Sequence, residues 1–203
     1  MLRHGLRAIL EQQEDIEIIG EAGNGREAVE LCKRLDPDVV VLDIAMPEMS
    51  GVLATDAILK DNRNTKVLIL STYLNETYIT ETLKMGASGY VLKECAAGDL
   101  LDAIKSVSRG EIYLSPKVST MAIRKFIRRE GAGEKTVFDI LSPREQEILQ
   151  HVAEGKTTNE MAEILFISSR TVDNHRASIM RKLDLHDIPS LVKFAVRSGI
   201  SEL

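Results

Sequence analysis

The sequence contains no tryptophan, and its aromatic share is only 4%. A chain of 203 residues with 44% hydrophobic residues must therefore build its core from aliphatic side chains, in one large or two small domains. The two cysteines, Cys32 and Cys95, stand far apart, without a CxxC or Cys/His cluster. This excludes a disulfide framework and indicates free thiols in a reducing compartment.

Long apolar runs are also missing. No stretch is long enough to cross a bilayer, and the N-terminus lacks the apolar segment of a signal peptide. We therefore expect a cytoplasmic protein with no membrane partner. The formal net charge of -5 excludes a globally basic nucleic-acid binder, so any DNA-binding surface has to be local.

The first half alternates between strand-like and helix-like segments. Continuous apolar runs at 39–42, 67–70 and 90–92 are typical of strands covered on both faces. Helical periodicity separates them, and a short β-branched run lies at 16–19. This order predicts a parallel α/β sheet with helices on both faces. Helices are expected at 24–35, 51–59, 76–85 and around 100–107.

The pattern changes after residue 141, where only helix signals remain. Ser142, Pro143 and Glu145 form an N-cap, a first-turn proline and a capping box. Further helices are predicted at 158–165, at 170–183 with Ser169 as its cap, and at 188–197. We therefore divide the chain into a first domain at 1–112, a linker at 113–138 and an all-α second domain at 139–203.

Polar side chains follow three successive apolar runs. Asp43, Ser71 and Lys93 each stand at the expected carboxyl end of a strand, where open parallel sheets bind ligands. An aspartate alone is more often a loop cap, but the three together predict one pocket. A carboxylate nucleophile, an ammonium and a hydroxyl donor suit phosphoryl transfer to Asp43.

The segments 40–51 and 86–93 resemble the phosphorylation loop and the lysine segment of receiver domains. The resemblance implies that a histidine kinase transfers a phosphoryl group to Asp43 in the presence of Mg²⁺. It also implies that Ser71 and Tyr90 form the switch, that Lys93 contacts the phosphoryl group, and that phosphorylation favours a homodimer.

One departure from that resemblance concerns the first strand. Receivers open with a strand ending in an acidic pair, whereas Met1 to Gly5 resemble the start of the first helix. The expected fold is thus flavodoxin-like, with strand order 2-1-3-4-5 and the first strand absent. Asp43 and the Ala45 carbonyl remain as metal ligands, without the acidic pair. A start codon placed too late is favoured over a true variant.

The helix predicted at 170–183 is the candidate DNA reader of the second domain. A helical wheel turns Val172, Ile179 and Leu183 to the core. The same wheel also fits a solvated amphipathic helix. The opposite side combines amides, guanidinium groups and small side chains suited to base and phosphate contacts, namely Arg170, Asp173, Asn174, His175, Ala177, Ser178, Arg181 and Lys182.

The second domain resembles the LuxR-type helix-turn-helix, and its combination with a receiver resembles NarL/FixJ-type response regulators. The motif segments lie at 141–145, 159–162, 169–175 and 181–183. The resemblance implies binding to double-stranded DNA, with Thr171 and His175 on phosphates. It implies that Asp173, Asn174 and Ala177 face bases, and it places a dimer contact in the fourth helix: Leu191 and Ala195.

The leading hypothesis is a phosphorylation-controlled transcription factor that is not an enzyme. A phospho-aspartyl hydrolase is a weaker hypothesis, because such chemistry usually needs a second aspartate where Ala45 stands. A third hypothesis is a phosphorylation-independent DNA-binding regulator with a degenerate receiver, and the missing first strand is its main support.

Overall fold

The computed structural model describes residues 2–72, 74–95, 97–128, 140–198 and 200. Its first unit is built on four parallel strands in the order β1-β2-β3-β4. This confirms the predicted parallel sheet. The strands are β1 (Val39–Asp43), β2 (Lys66–Ser71), β3 (Gly89–Leu92) and β4 (Tyr113–Leu114).

Helices cover both faces of this sheet, as the continuous apolar strands predict. One face packs Ile69 and Tyr90 against α2, α3, α4 and α6, and the other packs Leu68 and Val91 against α1 and α5. The helices of this unit, within the described residues, are α1 (Leu2–Leu10), α2 (Gly25–Leu35), α3 (Gly51–Asp61), α4 (Glu76–Met85), α5 (Ala97–Ser108) and α6 (Pro116–Arg128).

The β-branched run at 16–19 belongs to no strand. A strand needs a hydrogen-bonded neighbour, and β1 pairs only with β2 among the described strands. A groove of about 550 Å³ separates this run from β1, and Leu6, Leu10 and Ile104 line it. The structure thus has an open sheet edge at the place where the absent first strand was expected.

The sheet extends beyond the domain boundary predicted at residue 112. Tyr113 and Leu114 pair with β3, and Val118 of α6 is fully buried in the core of the first unit. The first unit therefore includes β4 and at least the start of α6, because both complete one side of the core. Part of the predicted linker, residues 129–138, lies outside the described residues.

The second unit is helical, with its own aliphatic core, and four of its helices lie within the described residues. The predicted capping box of Ser142 and Glu145 is present, with Pro143 in the first turn. The cap predicted for the third helix was wrong by one residue: Ser168 caps it, because Ser169 donates to Asn159 instead. The helices are α7 (Pro143–Ala153), α8 (Thr158–Ile164), α9 (Ser169–Leu183) and α10 (Ile188–Ser198).

Within the described part of the chain, no helix combines the length and the apolar character that a bilayer span requires.

Candidate phosphoacceptor and DNA-binding sites

Asp43, Ser71 and Lys93 lie at the carboxyl ends of three adjacent strands. Asp43 ends β1 and pairs with Leu70, so Ser71 follows one position further along β2. The Lys93 N–H, directly after β3, donates to the Ser71 carbonyl at 2.7 Å. Parallel register therefore brings the three residues to one edge of the sheet, as the sequence predicts.

The Lys93 Nζ forms a direct ion pair with the Asp43 Oδ2. The two side chains are 16% and 27% exposed, so the pair is sheltered but can be reached from solvent. The other carboxylate oxygen, Oδ1, accepts the Ala45 N–H at 3.2 Å. An accessible carboxylate beside a fixed cation can attack a phosphoryl group, and the ammonium can then pair with the phosphoryl oxygens.

The β1–α3 loop, residues 44–50, is folded tightly against the end of β1. The Gly51 N–H donates to the Ile44 carbonyl at 2.9 Å, and Glu48 has a φ of 65°. Only glycine fits at position 51, because an added Cβ would lie 2.1 Å from the Asp43 carbonyl oxygen. Asn24, the N-cap of α2, donates a hydrogen bond from its Nδ2 to the Glu48 Oε1 at 3.1 Å.

The two predicted switch residues lie in the interior beside Asp43. Ser71 is 1% exposed, and Tyr90 is completely buried in the core that faces α4. A movement of either side chain would therefore alter packing below the surface. This placement is compatible with a switch role, which remains a prediction.

The oxygen ligands for a hard cation are few. Asp43 offers a carboxylate, and the Ala45 carbonyl is the other ligand expected from the sequence. No group of three or more His, Cys, Asp or Glu side chains suited to a metal occurs among the described residues. Mg²⁺ is often held by one or two carboxylates and several waters, so these two oxygens fit a site completed by water and phosphoryl oxygens.

Helix α9 presents the predicted reading face to solvent. Val172 and Ile179 are completely buried and anchor the helix, as predicted. The exposed side carries two guanidinium groups and an amide that are free to approach a DNA groove. Its members are Arg170, Asp173, Asn174, Ala177 and Arg181.

Two residues predicted to contact DNA also form hydrogen bonds to α7. Ser178 Oγ donates to Glu145 Oε1 at 2.8 Å, and Lys182 Nζ donates to Glu145 Oε2 at 2.6 Å. Burial alone would raise the pKa of Glu145, but hydrogen bonds from Lys182, Ser142 and Ser178 outweigh it and lower the pKa to about 2. The structure thus gives Ser178 and Lys182 a bracing role between α7 and α9.

The start of α9 is braced in a similar way. Thr171 Oγ1 lies 2.8 Å from Ser168 Oγ, while Thr158 Oγ1 donates to Asp173 at 3.4 Å and accepts from Arg176 at 3.0 Å. Thr171 and His175 are half-buried at the side of the reading face. Their predicted phosphate contacts remain predictions.

The predicted dimer contact in the fourth helix requires a correction. Leu191 and Ala195 are completely buried in the core of the second unit, where α10 packs against α7. They cannot meet a second chain without opening that core. A dimer contact through α10 would have to use its solvent-facing side, where Lys193 is exposed.

Sequence reasoning missed a contact between the two units. Gln150 of α7 is only 3% exposed, and its side-chain amide bonds to the Met46 carbonyl and the Ser50 N–H in the β1–α3 loop. Its spacing of one helical turn from Gln146 is the only hint in the sequence, and it does not identify a partner.

A parallel α/β unit with an aspartate–lysine pair at its strand ends, joined to a helical unit with an exposed third helix, defines a receiver domain linked to a helix-turn-helix. The chain belongs to the bacterial response regulators. The receiver family, described as "Response regulator receiver domain", matches residues 1–105. The family "Bacterial regulatory proteins, luxR family" matches residues 139–195.

Similar proteins cover nearly the whole chain. The oxygen regulatory protein NreC of Staphylococcus carnosus (strain TM300) is 38% identical over 98% of this chain and 94% of its own length. The transcriptional regulatory protein DegU of Brevibacillus brevis is 34% identical over 98% and 90%. A structure of RcsB from Salmonella enterica serovar Typhimurium, bound to promoter rprA with phosphomimetic BeF3-, is 25% identical over 95% and 92%, with a TM-score of 0.59. The chain is therefore a two-component response regulator with a LuxR-type DNA-binding domain.

Proposed function

We propose that this chain is a transcription regulator whose binding to double-stranded DNA is controlled by phosphorylation of Asp43. The observation that carries the proposal is the ion pair of Asp43 and Lys93 at the carboxyl ends of β1 and β3. A cognate histidine kinase is the phosphoryl donor, and a homodimer is the active form. The site transfers a signal, and the chain itself is not an enzyme.

The transfer uses the Asp43 carboxylate as nucleophile. One of its oxygens forms an O–P bond while the P–N bond of the kinase phosphohistidine breaks, and the imidazole nitrogen keeps the electron pair. Lys93 turns from the carboxylate to the phosphoryl oxygens, and Ser71 donates to one of them. Mg²⁺, held by Asp43 and the Ala45 carbonyl, would supply charge neutralisation to the phosphoryl group.

Phosphotransfer from acetyl phosphate with Mg²⁺ tests this site. Wild-type chain is expected to gain one hydroxylamine-labile phosphoryl group, detected as a mass increase of the intact protein. Asp43→Asn should gain none and keep the wild-type circular dichroism spectrum. Asp61→Asn, an exposed carboxylate on α3, is the matched control and should behave as wild type. Stoichiometric phosphorylation of Asp43→Asn would show that the site is elsewhere.

The DNA-binding role is supported by the exposed side of α9. Arg181 and Asn174 are suited to guanine and adenine edges, respectively. Each good base contact contributes roughly 1–3 kcal/mol, so Asn174→Ala with Arg181→Ala should weaken operator binding by about thirtyfold or more. Genomic DNA fragments selected by the wild-type chain provide the operator. Lys33→Ala, an exposed cation in the first unit, is the charge control, and retained operator affinity of the double variant would refute the assignment.

The open groove beside β1 favours one alternative, a phosphorylation-independent DNA-binding regulator with a degenerate receiver. This alternative expects no aspartyl phosphate on wild-type chain and unchanged DNA affinity in Asp43→Asn. The phosphotransfer experiment therefore separates it from the leading proposal.

A further inference from the structure

A single buried side chain connects the DNA-binding unit to the β1–α3 loop. Gln150 Oε1 accepts the Ser50 N–H at 2.9 Å, and Gln150 Nε2 donates to the Met46 carbonyl at 3.1 Å. Nε2 also donates to Glu154 at 2.8 Å, so both amide atoms have partners. With 3% of Gln150 and 7% of Ser50 exposed, the hydrogen bond to Ser50 is buried, whereas Met46 is only half-buried.

The contact lies one residue away from the phosphoacceptor's own hydrogen bond. Ala45 N–H donates to Asp43 Oδ1, and the carbonyl of the next residue, Met46, is the one that Gln150 holds. A chemical change at the Asp43 carboxylate alters the acceptor of the Ala45 N–H. A movement of Ala45 would then shift the neighbouring residue Met46, whose carbonyl is bonded to the Gln150 amide.

The contact leaves the reading face of α9 open. Arg170, Asn174 and Arg181 are exposed while Gln150 is bound to the loop. The first unit therefore does not act by covering these side chains. What the contact fixes is the orientation of α7 against the β1–α3 loop and the conformation of the loop itself.

We propose that Gln150 is a two-way latch between the phosphoacceptor loop and the DNA-binding unit. The proposal rests on the proposed function and adds a route to it. While the latch is closed, the loop is restrained and the DNA-binding unit is held in one orientation. Phosphorylation of Asp43 opens it, and by thermodynamic reciprocity any change that opens it favours both phosphorylation and DNA binding.

The latch is suited to reversible opening. It consists of two neutral hydrogen bonds to the loop backbone, and each such bond changes an equilibrium by only about tenfold, since the freed groups can bond to water. The Ser50 N–H and the Met46 carbonyl lie in a loop, so both can become hydrated once the units separate. The free energy that phosphorylation of Asp43 must supply to break these two hydrogen bonds is therefore small.

Hydrogen exchange of the Ser50 amide in the full-length chain tests the latch directly. Gln150→Glu removes the donor to the Met46 carbonyl, and Gln150→Met removes both hydrogen bonds at similar volume. Gln150→Met should raise the exchange rate at Ser50 by about tenfold or more. Gln150→Glu keeps an oxygen that can accept the Ser50 N–H, so its increase should be smaller. Gln146→Glu is the matched control, because Gln146 is one turn away on α7 and bonds to Leu141 within its own unit. It should leave Ser50 exchange unchanged.

Two functional measurements complete the test. Both Gln150 variants should bind the phosphoryl mimic BeF3- in the presence of Mg²⁺ several-fold more tightly than wild type, because the reciprocity applies to equilibrium binding. In an Asp43→Asn background, both should bind operator DNA more tightly than Asp43→Asn alone, whether or not phosphorylation occurs. Unchanged Ser50 exchange overturns the latch, and so does faster exchange without any change in DNA affinity. If the wild-type chain is not phosphorylated, only the proposed function is contradicted. The Ser50 exchange rate and the operator affinity test the latch independently of phosphorylation.

Discussion

Glu145 provides a quantitative prediction about the DNA-binding unit. Its carboxylate accepts hydrogen bonds from the backbone of Ser142 and from Ser178 and Lys182, and its side chain is only 5% exposed. These bonds join the start of α7 to the last turns of α9. Glu145→Gln retains the size of the side chain but removes its charge, so it tests the ionised carboxylate without leaving a cavity.

The expected magnitude follows from the pKa of Glu145. Its fall from 4.5 to about 2, at roughly 1.4 kcal/mol for each tenfold change in proton affinity, corresponds to about 3 kcal/mol. Because the pKa is depressed in the folded state, this stabilisation is fully present above pH 4.5 and is lost as the pH falls towards 2. Glutamine resembles the neutral acid, so the variant should lose up to about 3 kcal/mol at neutral pH.

Urea unfolding of the full-length chain measures this loss. All tyrosines, at positions 73, 78, 90 and 113, belong to the first unit by sequence. Tyrosine fluorescence therefore reports the first unit alone, and far-ultraviolet circular dichroism reports both units. Glu145→Gln should shift the unfolding of the second unit, which circular dichroism detects, and leave the transition in tyrosine fluorescence unchanged. The loss of unfolding free energy at about pH 3 should be roughly half or less of the loss at about pH 7. Glu160→Gln, the exposed capping-box acid of α8, is the control and should have a smaller effect. A Glu145→Gln deficit that is absent at neutral pH, or constant down to about pH 3, would refute the reasoning.

Two further predictions concern the first unit. Gly51→Ala should cost about 1–3 kcal/mol and slow phosphorylation, because its Cβ would lie 2.1 Å from the Asp43 carbonyl oxygen; tyrosine fluorescence during urea unfolding checks this. Gly5→Ala, which meets nothing within 4 Å inside α1, should instead be neutral or stabilising, and equal losses for the two variants would contradict the steric argument. Burial raises the pKa of Cys32 to about 11, so its thiol should react slowly with iodoacetamide at neutral pH and much faster in urea, as peptide mass spectrometry would show. Equal native and unfolded rates would contradict this.

The sheet edge that carries Asp43 and Lys93 could be predicted because its geometry follows from local pattern. Continuous apolar runs identify parallel strands, and the carboxyl ends of parallel strands must meet at one edge. The polar residue that ends each run is therefore brought to the same place, and Asp43 and Lys93 do form a pair. No long-range information beyond strand direction is needed for that step.

The roles of residues on α9 and α10 were harder to predict, because a wheel shows which face is apolar but not what packs on the rest. Ser178 and Lys182 lie beside the exposed stripe, yet the buried carboxylate of Glu145 engages both. Leu191 and Ala195 are apolar and were assigned to a partner chain, yet the domain uses them for its own core. A small domain has few apolar residues, so most of them are needed in its own core.

Buried amides on α7 illustrate the remaining gap between sequence and structure. Gln146 and Gln150 are one turn apart and read as polar surface positions, yet both are at most 4% exposed. Burial of an amide is tolerated because backbone groups satisfy it: Leu141 for the first, and Met46 with Ser50 for the second. The partners of Gln150 lie about a hundred residues earlier, in a loop shaped by Gly51 and the end of β1. Local periodicity cannot encode such a pairing, because it depends on how two separately folded units meet. Residues that couple the units of a regulator are therefore the ones that sequence patterns are least able to reveal.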